Sequence, residues 1–131
     1  MAVLSSWRPL GFSLTEVDVY DGLAQRCGIY RSQLERQWAN WFHLNHIHAD
    51  YVDQHWYDFE VAGYLVEIKP HGQSFLFAAL DRMPTHETLV VIQGSIFNNL
   101  GWLCHRIGVD VDYEPIDVHQ FFGITEQKHD K

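Results

Sequence analysis

With 131 residues, the chain is long enough for one domain that buries roughly two-thirds of its unfolded surface and needs no disulfide or metal staple. Its 47% hydrophobic and 15% aromatic content argues against disorder, and no apolar run reaches the ~20 residues of a membrane helix. The net charge is −8, and all of it falls on residues 43–131, because four arginines cancel four acids in residues 1–42. A field of that sign repels phosphates and attracts basic partners or cations.

The opening residues, Met1 to Ser13, lack the basic stretch and apolar region of a secretory leader, and residues 1–12 read as an extended segment. Cys27 and Cys104 stand far apart and read as buried free thiols, so a cytoplasmic protein without a disulfide framework is expected. Ser13-Leu14-Thr15-Glu16 has the form of a capping box and predicts a first helix over 14–27, stopped by Gly28. Ser32-Gln33-Leu34-Glu35 is a second capping box. It opens a helix from about 32 to 44 or later with Leu34, Trp38, Trp41 and Phe42 on one stripe.

From Trp56 to Ile68 the period is two, and the phase slips at Ala62-Gly63, which predicts one strand over 56–68 with a β-bulge at Gly63. Ser74 to Leu80 reads as a buried strand paired with 64–69 through the turn Lys69-Pro70-His71-Gly72. Thr88 to Gln93 is a further buried strand. The residues Ile96, Phe97, Leu100, Leu103, Cys104 and Ile107 recur at helical spacing and predict a helix ending at Gly108. A half-exposed strand, 109–114, follows, and residues 126–131 read as a frayed tail. The fold class expected is α+β in a single domain over residues 1–131. It has two N-terminal helices and a mixed β-sheet of about four strands, with one crossing helix in a β-α-β unit at 88–114.

Four groups of residues invite a chemical reading. His43, His46, His48 and His55 lie within thirteen residues; on a continuous helix only His43 and His46 would share an ion, and HExxH is absent. Residues 23–36 resemble the core of a helix-turn-helix motif, with Ala24, Gly28 and Leu34 at the packing and turn positions. That resemblance would expose Tyr30, Arg31, Gln33 and Arg36 to DNA, although Gln37 departs from the apolar residue expected there. Gln93-Gly94-Ser95 between a strand and a helix offers backbone N–H groups, with Ser95 as N-cap.

The last group is the acidic row Asp110, Asp112 and Glu114, with Trp102 beside Asn98, Gly101 and His105 as a desolvated anchor. No serine or cysteine nucleophile signature occurs. The leading expectation is therefore an acidic binding module, an inhibitor or immunity-type protein for a basic partner or an accessory domain of a mobile element. It would use no cofactor and no chemistry of its own. The alternatives are a small DNA-binding regulator built on Tyr30, Arg31, Gln33 and Arg36, and a metal-binding protein or enzyme built on His43 and His46.

Overall fold

The computed structural model describes residues 30–52 and 55–123. The helix predicted over 14–27 lies outside them, as does most of the helix-turn-helix resemblance. Among the described residues, three helices and a six-stranded mixed sheet make an α+β fold. In chain order the elements are α1 (Gln33–Leu44), β1 (Ala49–Tyr51), β2 (Phe59–Val61), β3 (Tyr64–Lys69), α2 (Gln73–Arg82), β4 (Thr88–Gly94), β5 (Asn99–Ile107), β6 (Asp110–Ile116) and the short α3 (Val118–Phe121). The strands lie side by side in sequence order. Only β3 and β4 run parallel, and every other neighbouring pair is antiparallel.

The second predicted helix is present. Ser32 is its N-cap and accepts from the Glu35 N–H, while Glu35 reaches one residue behind the cap to accept from the Arg31 N–H. Three other expectations need correction. Ala62-Gly63 is not a bulge within one strand but the two-residue turn of the β2–β3 hairpin, with φ of +50° and +89°. Two successive left-handed residues give the turn whose twist matches that of the strands, and one glycine limits its cost. The apolar run 74–80 is helix α2, whose buried Leu76, Ala79, Leu80 and Met83 recur at i, i+3, i+4 and i+7. Residues 99–107, expected as helix, form the long strand β5.

The β-α-β unit therefore lies at β3–α2–β4 rather than at 88–114, and the sheet has six strands instead of about four. The sheet is covered on both faces. Against one face α1 packs Trp38, Trp41 and Phe42 on Phe59, Val61, Val66, Ile68, Val90 and Ile92, with Val118 and Phe122 of the α3 region closing the edge. Against the other, α2 packs Leu76, Ala79, Leu80 and Met83 on Leu89, Val91, Cys104 and Tyr57. Trp38 donates its indole N–H to the Gly94 carbonyl at 2.8 Å, whereas the equally buried indole N–H of Trp41 has no hydrogen-bond partner among the described residues.

Candidate functional site

Where β2 and β3 diverge, the ladder ends at Phe59↔Val66 and a set of buried polar groups begins. The Asp58 N–H donates to the Val66 carbonyl at 2.8 Å, and one oxygen of the Asp58 carboxylate, Oδ2, accepts from the Ile68 N–H at 2.8 Å. The carboxylate thus replaces the next backbone acceptor of the ladder. Its other oxygen, Oδ1, accepts from Arg31 Nη2 at 2.9 Å.

Glu67 stands in the middle of β3 and interacts with Asp58, and Lys69, two residues along the same strand, shares its face. The Lys69 ammonium is 3.3 Å from Glu67 Oε2, and Arg82 at the end of α2 is 3.9 Å from the same oxygen. The side chains of Asp58 and Glu67 are 3% and 4% exposed, whereas those of Arg31 and Arg82 are 54% and 52% exposed. Two carboxyls lie deep, and the guanidinium groups paired with them are exposed.

Burial first, and then the negative charge of Asp58, pushes the Glu67 carboxyl up to about 7, against the pull of Lys69. Near neutrality the Glu67 carboxyl is therefore partly protonated. A second network supports Arg31 from beneath. Tyr51 donates to Glu35 Oε1 at 2.9 Å and accepts from the Arg31 N–H at 3.1 Å. The Glu35 carboxyl is raised by burial and by Asp58, and the Tyr51 hydroxyl is raised mainly by burial.

Positive charge is concentrated here despite the acidic total. Of the five Lys and Arg among the described residues, Arg31, Lys69 and Arg82 converge on the two carboxyls, leaving Arg36 and Arg106 elsewhere. An all-oxygen pair with no histidine or thiol suits a hard cation, Mg²⁺ or Mn²⁺, which takes one or two carboxylates and completes its shell with water and phosphate oxygens. Lys69 is followed by a helix N-terminus whose Gly72 N-cap makes no side-chain cap bond, a second source of attraction for a phosphate.

The residues singled out from the sequence fall elsewhere. Helix α1 ends at Leu44, so His46, exposed at φ +59°, does not continue the helical face of His43. His48 contacts Asp50 at 3.0 Å. Among the described residues no group of three or more His, Cys, Asp and Glu is placed to hold a metal, so a cation at Asp58 and Glu67 would need further ligands from outside the pair. Of the residues expected to face DNA, Gln33 is exposed and Arg36 half-buried, but Tyr30 packs on Tyr51 at 4.8 Å and Arg31 is bound to Asp58.

Asp110, Asp112 and Glu114 are exposed on one face of the edge strand β6, opposite Ile107, His105 and Leu103 of β5. His105 joins that face and contacts the Thr88 hydroxyl at 3.0 Å. Trp102 does not, because the strand parity that brings out His105 turns Trp102 to the α2 face, where its N–H donates to Gln93 Oε1 at 2.9 Å. Asn98 precedes β5, and its carbonyl contacts His71 at 2.9 Å. Ser95 caps a turn rather than a helix, accepting from the Phe97 and Asn98 N–H groups. Cys104 is buried, and burial pushes its thiol up to about 12, which leaves no thiolate for nucleophilic work.

Among the described residues no helix is long and apolar enough to cross a membrane. Comparison with known proteins gives no match to a family model, a curated protein or a solved structure.

Proposed function

We propose that the protein is a divalent-cation-dependent phosphodiesterase acting on nucleic acid, with Asp58, Glu67 and Lys69 at its centre. The observation that carries this reading is the buried Asp58–Glu67 pair with Lys69 3.3 Å from Glu67 and the Glu67 carboxyl near 7. Buried carboxyls next to one another are costly for folding, and such local expense is concentrated where chemistry needs it. A bound Mg²⁺ or Mn²⁺ would polarise a phosphoryl oxygen and acidify a water.

The chain's own groups do the rest. Asp58 and Glu67 would hold the cation, with Glu67 deprotonated. Lys69 neutralises charge that builds on the phosphoryl oxygens as water adds to phosphorus and gives its proton to solvent, while the ester P–O bond breaks and the leaving oxygen takes a proton from solvent. Arg31 and Arg82, half-exposed, are long enough to leave the carboxyls for flanking phosphates. A polymeric phosphodiester fits three spaced cations better than a small ester does, and local positive charge offsets the repulsion of the acidic remainder.

The test is incubation of the purified protein with Mn²⁺ or Mg²⁺ and linear or circular, single- or double-stranded DNA and RNA. Cleavage is expected, and it should be lost in Asp58→Asn, Glu67→Gln and Lys69→Gln variants that keep the wild-type circular dichroism. Absence of cleavage of every polymer, together with no Mn²⁺ binding, overturns the reading.

A second reading, capture of a basic protein, is favoured by the exposed row Asp110, Asp112 and Glu114 on β6, the last strand of the sheet among the described residues. Reversal of Asp110 and Asp112 to Lys should abolish such capture and leave cleavage unchanged.

A further inference from the structure

Lys69 is the last residue of β3, so on its C-terminal side its backbone is held by the turn that follows and not by the ladder. Residues 70–72 carry the turn into α2, and their carbonyls are not paired by the sheet. A buried amide reaches them. Gln93, 2% exposed on β4, lies beside Lys69 in the parallel register. Its Nε2 donates to the Pro70 carbonyl at 3.1 Å and to the Gly72 carbonyl at 2.8 Å. Its Oε1 accepts from Trp102 Nε1 at 2.9 Å.

The three bonds admit one orientation of the amide. Both N–H donors face carbonyls and the oxygen faces an indole N–H, so a flipped amide would oppose oxygen to oxygen twice and leave the indole without an acceptor. Trp102 thus sets the orientation of Gln93, and Gln93 sets the turn. Fully satisfied buried polar networks of this kind rigidify what they touch. Gly72, at φ +128°, gives the turn a conformation that other residues rarely adopt.

We infer that Gln93, oriented by the Trp102 indole, is the positioning residue for Lys69, holding its ammonium against Glu67. The inference rests on the phosphodiesterase reading for its kinetic consequence but not for its geometric one. Two variants separate the roles. Trp102→Phe keeps most of the ring packing and removes only the donor that orients the amide. Gln93→Glu replaces two donors by an acceptor that cannot serve the carbonyls of Pro70 and Gly72.

The chain has three lysines, so lysine labelled with ¹³C at Cε gives three signals, and the one missing from Lys69→Gln is that of Lys69. In the wild type this signal should be displaced from the position of a free lysine. It should return towards that position in Trp102→Phe and further in Gln93→Glu, with the far-ultraviolet circular dichroism unchanged. With Mn²⁺ and an oligonucleotide, kcat should fall about 10–100-fold with KM little changed, the size typical of losing an outer-shell partner.

A Lys69 signal unmoved in both variants overturns the inference, as does a kcat within twofold of wild type in a protein that cleaves. Failure of the wild type to cleave would sink the phosphodiesterase reading alone, because the Lys69 signal still reports whether Gln93 and Trp102 hold it. If Gln93→Glu does not fold, Trp102→Phe carries the test.

Discussion

The two faces of the sheet are built from different materials. Against α1 the contact is a run of edge-to-face aromatic pairs: Trp38 with Trp41 at 5.4 Å, Trp41 with Phe42 at 5.6 Å and Phe42 with Phe59 at 5.8 Å. Against α2 the apolar layer is thinner, and at its β2–β3 end stand Asp58, Glu67, Lys69 and Gln93. Burial of the first kind stabilises at roughly 25 cal/mol per Å², whereas a buried carboxyl costs stability unless its partners are complete. One face supplies the stability that the other face consumes.

Truncating the α1 face should have the largest effect. Trp41 is fully buried, and Trp41→Ala is expected to cost about 3–5 kcal/mol, read from the midpoint of urea unfolding. On the α2 face the signs should part. Glu67→Gln removes a buried charge, so the metal-free protein should be as stable as wild type at pH 8 or more so, while Mn²⁺ binding is lost. A loss near that of Trp41→Ala would show that both faces serve stability alike, and the contrast would collapse.

A subtler difference appears with pH. Glu67, held near 7 by burial and by Asp58, keeps its proton in the folded chain over a range where an unfolded carboxyl has lost it. Its contribution to stability is complete below about 4.5 and declines as pH rises through about 7. Mn²⁺ affinity should climb over the same window with release of a proton. Thermal melts of Glu67→Gln should lose this slope, and a wild-type profile identical to that of the variant would count against the assignment.

Part of this contrast was legible in the letters. The α1 stripe of Trp38, Trp41 and Phe42 and the Ser32 cap define a helix by themselves, and β4 and β6 read correctly as strands. The α2 segment misled because Phe75 and Phe77 lengthen an apolar run although they are 42% and 43% exposed; the buried stripe is Leu76, Ala79, Leu80 and Met83. Strand β5 misled for the opposite reason. Its middle is covered on both faces, so Gly101 and Leu103 serve one layer and Trp102 and Cys104 the other, and the mixture imitates a helical period.

The centre was missed through the turn. With Ala62-Gly63 taken as a bulge, Asp58 and Glu67 are two acids on a long strand. With the same pair taken as a two-residue hairpin turn, positions 58 and 67 become opposite one another, and Glu67-Ile68-Lys69 acquires a partner. Burial of Gln93 had no sequence signal beyond its place in an apolar strand.

The single parallel seam between β3 and β4 has a consequence for assembly. Strands β1 to β3 and strands β4 to β6 are each antiparallel and close locally, so each half can zip early. The seam must wait for α2 to cross, since a non-local pairing bears the entropy of closing its loop first. Lys69 lies on one side of the seam and Gln93 on the other, paired in register. Asp58, Glu67 and Lys69 therefore belong to the first half and Gln93 to the second, so Lys69 gains its neighbour only when the halves join. In refolding, the amides that bridge β3 and β4 should become protected from exchange after those within the two meanders.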